Sequence, residues 1–363
     1  MNAALSQFSF RDRSLAVQWA AILTLSLLLA AALTALRLPA ALLLSAIGAA
    51  AAVASFDGRA QVPPRAFLLA QAVIGGMIAQ YIKPATLQEI FRDWPLFLTA
   101  ALAVILASCL IGWALTRWRL FPDSTAIWGS LPGAASAMVL MADAYGADMR
   151  LVAFMQYFRV LLVALVASLV ARFFTPDGGA PPSSWLGQGQ NPIDWPSFGL
   201  TCALLVACAW AGRRFRIPAG PLLAPLVVAA AAQDFGLLTL ELPRALLAIT
   251  YAVLGWSIGL RFTRDILAHA FKALPSIFGA TVLLLALCGG FGLLLAHFAH
   301  VDAMTAYLAT SPGGVDAVAI IAASTKLDMP FVMALQTARV ILVIAIGPSL
   351  ARMIADRAAR RHD

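Results

Sequence analysis

Charge is what this 363-residue sequence has least of: Asp, Glu, Lys and Arg together make up 12% of it, about half of the roughly 25% usual in soluble domains. A soluble fold of this size could not hide the 62% of residues that are hydrophobic. Acids are scarcer than bases, 17 against 25, which leaves a net charge of +8. That excess does not mark a nucleic-acid binder. No polar stretch is long enough for a DNA-binding domain, and Lys and Arg lie mainly between apolar runs, where membrane topology places them. Cysteine and histidine are also few, four of each. Cys109, Cys202, Cys208 and Cys288 sit inside apolar runs with no CxxC, as packing residues do. His269, His297 and His300 stand at segment ends, as interfacial residues do. There is no metal-ligand set, nucleophile elbow, Walker loop or dinucleotide fingerprint. The sequence therefore predicts neither an enzyme nor an ATP-driven pump, and no cofactor.

What is present is long uncharged runs. Leu15–Leu36 carries no charge over 22 residues, and a bilayer-spanning helix needs about 20. The run is too long for the apolar region of a cleavable signal peptide, and a second run follows at once. Only helices and closed barrels satisfy their backbone in lipid. Continuous rather than alternating apolar residues select helices. The fold class expected is an all-α polytopic membrane protein.

The chain also repeats itself. Read without gaps at an offset of 180, Pro132–Val163 and Pro312–Val343 are identical at 12 of 32 positions. The matches include Pro132/Pro312, Gly133/Gly313, Asp148/Asp328, Met149/Met329, Gln156/Gln336 and Arg159/Arg339. Ala72–Gly75 matches Ala252–Gly255 at the same offset, apart from Ile74/Leu254, and Leu38-Pro39-Ala40 resembles Ile217-Pro218-Ala219 at 179. The duplication predicts a membrane repeat over 1–173, a linker over 174–196, a second repeat over 197–354 and a basic tail over 355–363.

Each half offers six apolar segments: roughly 15–36, 39–55, 66–82, 95–115, 124–147 and 149–173, then 197–212, 218–233, 243–260, 273–297, 303–325 and 329–351. If all twelve span, the halves are parallel. If the fifth of each half dips in and returns, each half has five spans and the halves are inverted. Cytoplasmic loops favour Lys and Arg. With a cytoplasmic N-terminus, the ten-span model places 17 basic residues inside and 6 outside, and the twelve-span model 12 and 11. The bias favours inverted repeats, each of five transmembrane helices plus a re-entrant Pro-Gly segment, with both termini cytoplasmic and the linker periplasmic. The alternative for each fifth segment is a Pro-kinked full span.

The fifth segments carry the candidate chemistry: Leu131-Pro132-Gly133 and Ser311-Pro312-Gly313-Gly314. Broken backbone at membrane depth survives only against protein or a water-filled cavity. A helix starting after the break offers free N–H groups to an anion, and the preceding carbonyls suit a cation. Asp316 lies four residues beyond Pro312, with Ser136 as its mate. It is a candidate ligand for Na⁺ or carrier of H⁺, or alternatively a helix cap. Asp143 is a weaker candidate nearer the surface. Gln156 and Arg159 share a helix face, as do Gln336 and Arg339. A guanidinium at depth needs a partner. Each Arg either clamps the carbonyls of a break or grips a substrate carboxylate. Gly75-Gly76, Gly255 and Gly259 suit close helix packing.

The paired PGAAS and PGGVD motifs, each followed by a QxxRV helix, resemble the membrane AbrB family over essentially the whole chain. Its members are often labelled transcriptional regulators or ammonia monooxygenases. This sequence contains neither a swapped-hairpin DNA-binding domain nor a copper or iron ligand cluster. The resemblance implies an architecture similar to inverted-repeat secondary transporters. The function expected is an inner-membrane secondary transporter of a small anionic metabolite coupled to Na⁺ or H⁺. The alternative is a membrane-embedded regulator of gene expression acting through a partner. Membrane lipids and a small-molecule substrate are the expected partners, with a homodimer open and nucleic acid excluded.

Overall fold

The computed structural model describes residues 13–36, 38, 40–80, 94–118, 120–121, 124–132, 138, 142, 147–174, 194–215, 220–323, 325 and 327–359. Among these the secondary structure is all helical: α1 Leu15–Ala35, α2 Ala41–Ser55, α3 Pro64–Ala79, α4 Trp94–Arg117, α5 Thr125–Ser130, α6 Met149–Phe174, α7 Trp195–Arg214, α8 Gly220–Asp234, α9 Arg244–Gly259, α10 Arg264–Ala270, α11 Leu274–Ala299, α12 Ala303–Thr310, α13 Val315–Ala323 and α14 Met329–Ala359. Sequence marks several starts. Ser14 caps α1 by accepting from the Val17 N–H. Pro stands in the first turn of α3, α7 and α11, where its missing N–H costs nothing.

Five stretches among the described residues are long and apolar enough to cross a membrane: α1, α4, α6, α7 and the stretch Arg264–Ala299. The second and third segments of each half, expected as spans, form α2, α3, α8 and α9 with only 15 or 16 residues each. At 1.5 Å per residue these reach about 22–24 Å, short of the ~30 Å hydrocarbon core. Burial accounts for α2, most of whose side chains are enclosed by protein. A helix packed in protein need not match the lipid around it.

The chain divides into two compact units that do not follow the two sequence halves. The first comprises Met1–Glu89, Ser168–Thr263 and Ala319–Pro330, and the second comprises Ile90–Ala167, Arg264–Val318 and Phe331–Asp363. Each unit therefore draws on both halves.

In the first unit, α2 packs on α9 and α3 on α8. Two glycines make this possible. A Cβ on Gly75 of α3 would lie 2.3 Å from the Leu222 carbonyl oxygen of α8, and one on Gly255 of α9 would lie 2.8 Å from the Leu43 carbonyl oxygen of α2. Gly75 and Gly255 are repeat mates, as are Leu43 and Leu222 at the offset of 179. The halves thus meet as an isologous dimer would, each presenting the same patch to the other. Across the same unit, Gln80 Nε2 donates to the Leu240 carbonyl at 2.7 Å. Gln18 Oε1 accepts from the N–H groups of Arg59 and Ala60.

The second unit contains the fifth segment of the first half and that of the second half as far as Val318. Its core gathers Ile105 and Cys109 of α4, Ile127 and Trp128 of α5, Val152 of α6 and Val343 of α14. Cys288 of α11 is also buried, and all four cysteines are free.

Candidate functional site

Each fifth segment in the second unit opens with a short helix that stops at the expected place. α5 ends at Ser130 and Leu131 turns extended, with φ −62° and ψ 126°. α12 ends at Thr310 and Ser311 does the same, with φ −59° and ψ 135°. In the second half the continuation is visible: Ser311–Gly314 is non-helical and α13 begins at Val315. Gly314 takes the capping position, its carbonyl accepting from the Val318 N–H at 3.1 Å. Gly133, Ser136 and Asp143 lie outside the described residues. The backbone of Asp316 is in the first turn of α13, but its side chain lies outside the description.

The ends of α5 and α12 leave carbonyls without helical partners. Gln156 and Arg159 of α6 cover the first set. Gln156 Nε2 donates to the carbonyls of Trp128 at 2.9 Å and Leu131 at 3.0 Å. Arg159 Nη1 donates to the carbonyls of Ser130 at 2.9 Å and Leu131 at 3.1 Å, and its Nη2 donates to Gln156 Oε1. Gln336 and Arg339 of α14 repeat the arrangement. Gln336 Nε2 donates to the carbonyls of Leu308 at 2.8 Å and Ser311 at 3.2 Å. Arg339 donates from Nη1 to the Ser311 carbonyl, and from Nη2 to the Gly313 carbonyl and Gln336 Oε1. Trp128, Leu131, Gln156 and Arg159 become Leu308, Ser311, Gln336 and Arg339 at the same offset of 180. The glutamine amide is the hinge of the device. It offers donors to the break and an acceptor to the arginine at once.

Both arginines are almost wholly buried, Arg159 4% and Arg339 2% exposed. Neither meets a carboxylate among the described residues, and the Nε of each has no partner there. The charge of Arg339 is felt at Arg159. Pro132, Pro312 and Gly313 are buried against the same ground, while Gly314 is half-buried. A Cβ on Gly313 would lie 2.8 Å from Val163 Cγ1. The structure thus brings Pro132, Gln156 and Arg159 together, and likewise Pro312, Gly313, Gln336 and Arg339. Among the described residues no three His, Cys, Asp or Glu gather as metal ligands.

Asp148 and His269 emerge only from the structure. Asp148 Oδ1 caps α6 by accepting from the N–H groups of Arg150 and Leu151. Its own N–H donates to Thr125 Oγ1 at the start of α5. Its Oδ2 meets His269 Nε2 of α10 at 2.6 Å. Partial burial alone would push the Asp148 carboxyl up. The hydrogen bond and charge of His269 and the two capping N–H groups outweigh that and hold it below its ordinary 3.8. The Asp148/Asp328 match gave a sign of importance in the sequence, but nothing there paired Asp148 with a residue 121 positions away.

A family model described as Transition state regulatory protein AbrB matches residues 42–355. The chain is 43% identical over 349 residues to a protein of Escherichia coli K12 named "Putative regulator AbrB", covering 95% of this chain and 99% of that one. It is 26% identical over 299 residues to an uncharacterized protein of Bacillus subtilis 168, YhjN, covering 79% of this chain and 78% of that one.

Proposed function

The chain belongs to the AbrB family, and we propose that within it this protein is a secondary transporter of a small anionic metabolite, driven by Na⁺ or H⁺, rather than an enzyme. One observation carries this reading: two buried guanidiniums, each holding a helix break, with no carboxylate partner among the described residues. Apolar helices long enough to span support reading this ground as lying at membrane depth. A buried positive pair there attracts an anion, because a charge in lipid is held only by partners. Non-helical backbone beside it lines a site rather than facing lipid.

In this reading the halves are inverted and each fifth segment is re-entrant. α12 and α13, with 8 and 9 residues, each reach about 12–14 Å, close to half a bilayer. The 17-to-6 excess of basic residues supports cytoplasmic termini and an inner-membrane location. Asp316 and the carbonyls of the break supply the coupling ion's ligands. A regulator working through a partner is the second reading. It is favoured by the names of the family and its Escherichia coli relative.

Purified full-length protein in liposomes tests the proposal. An imposed Na⁺ or pH gradient should drive uptake of a small anion. Folded protein that moves no anion under either gradient leaves only the regulator. For topology, a single cysteine at Arg213 in a Cys-free background should label from the cytoplasmic side. Labelling from outside alone removes the inverted arrangement.

A further inference from the structure

The two clamps are alike in what they hold and unlike in what they leave free. A guanidinium has five N–H donors in a fixed fork. Arg159 commits both Nη1 hydrogens to Ser130 and Leu131 and one Nη2 hydrogen to Gln156. Its Nε–H and one Nη2 hydrogen remain. Arg339 commits both Nη2 hydrogens, to Gly313 and Gln336, and one on Nη1 to Ser311. Its Nε–H and one Nη1 hydrogen remain. Nε and Nη2 share one edge of the guanidinium plane, the edge that takes a carboxylate with two parallel hydrogen bonds. Nε and Nη1 do not. Only Arg159 keeps that two-donor edge.

A small pocket lies against Arg159, lined also by Gly129, Ser130, Met155, Thr281 and Leu284. Its mates at the offset of 180 are built differently. Gly129-Ser130 becomes Ala309-Thr310, and Thr281 becomes Ala101. The Thr310 hydroxyl is spent on backbone, its one hydrogen shared between the carbonyls of Cys288 and Ala306, each at 2.9 Å. Beside one buried cation, this pocket thus carries a glycine and two hydroxyls where the repeat has Ala309, Thr310 and Ala101.

We propose that this pocket is the seat of a substrate carboxylate, held side-on by Nε and Nη2 of Arg159 with the Ser130 hydroxyl as a further donor. The proposal rests on the transporter reading and narrows its substrate class to small carboxylates. Thr281 Oγ1 donates to the Ile277 carbonyl at 2.7 Å. With its hydrogen so used, the hydroxyl can serve only as an acceptor, suited to a donor group next to the carboxylate. Gly129 makes room for Met155 at the pocket wall: a Cβ there would lie 2.3 Å from Met155 Sδ, so that lining side chain would have to shift.

The test is thermal stabilisation of the detergent-purified full chain by sodium formate and sodium acetate, against sodium chloride at equal ionic strength. Both carboxylates should raise the melting midpoint saturably, and chloride should not. Ser130→Ala keeps the carbonyl that Arg159 holds. It should raise the half-saturating concentration roughly tenfold or more, the loss expected for one hydrogen bond to a charged group. Gly129→Ala should abolish the response while the protein remains folded. Equal shifts with chloride, or responses unchanged in both variants, overturn the seat. Carboxylate-specific stabilisation without gradient-driven uptake supports the seat and removes transport alone. Gradient-driven uptake only of solutes lacking a carboxylate overturns the seat and leaves transport standing.

Discussion

Arg159 and Arg339 stand 180 positions apart, and each donates to the carbonyl just past the end of its own half's short helix: Leu131 for Arg159, Ser311 for Arg339. The equivalence runs through side chain, acceptor and glutamine partner together. In lipid a loose carbonyl costs several kcal/mol, so a break at depth needs such a clamp in both halves.

Arg→Lys at either position should therefore destabilise the protein. Lys is a point charge on a flexible stem and cannot serve two carbonyls and a glutamine oxygen in one plane. Each buried acceptor left unpaired costs about 1–3 kcal/mol. A lower melting midpoint and reduced gradient-driven uptake should appear in both variants. Full stability and activity in both would remove clamp and substrate contact alike.

The glycine contacts of the first unit give a second expectation. Gly75→Ala and Gly255→Ala drive a methyl against backbone oxygen on a neighbouring helix, where no side chain can move aside. Overpacking of this kind costs about 1–3 kcal/mol. Gly279→Ala in α11 meets nothing within 4 Å, and alanine is the better helix former by up to about 1 kcal/mol. Melting curves should show loss at the first two and none at the third. Equal behaviour of all three would refute the close crossing.

Much of this was legible in the sequence. The offset of 180 located the breaks, and the i, i+3 spacing put Gln156 with Arg159 and Gln336 with Arg339 before any coordinate. The grouping into units was not legible. Hydropathy shows that α3 and α8 are apolar, but not that Gly75 and Leu222 meet. The free edge of Arg159 was equally hidden, because it depends on which of two nitrogens each carbonyl takes. Asp148 and His269 belong to segments with no sequence relation, so only folding pairs them.

That pair sets a pH dependence. The Asp148 carboxyl is held below its ordinary 3.8. Such a group contributes stability that is present above its ordinary value and lost as pH falls through the lowered one. Asp148→Asn keeps the cap, since Asn and Asp cap about equally well, and removes the charge facing His269. Near pH 7 the variant should lose no more than about 1 kcal/mol, the scale of an exposed ion pair. Asp148→Ala also loses the cap and should cost about 1 kcal/mol more. The gap between wild type and Asp148→Asn should close as pH falls below 4. A gap that widens there would contradict the assigned ion pair.

Asp316 gives the last expectation. It sits in the first turn of α13, just after the Ser311–Gly314 break, and Gly314 already occupies the capping position. Asp316 is thus not itself at the capping position. Its charge there is worth at most about 1 kcal/mol through the helix dipole. Asp316→Asn preserves shape and removes that charge. A purely structural Asp316 would then give a slightly less stable protein with uptake intact. If Asp316 carries the coupling ion, the variant should fold, melt within a few degrees of wild type and lose gradient-driven uptake. Binding of the carboxylate at Arg159 should persist, because that seat belongs to the first half's break. Na⁺- or pH-driven uptake equal to wild type would remove Asp316 from coupling, whatever its effect on melting.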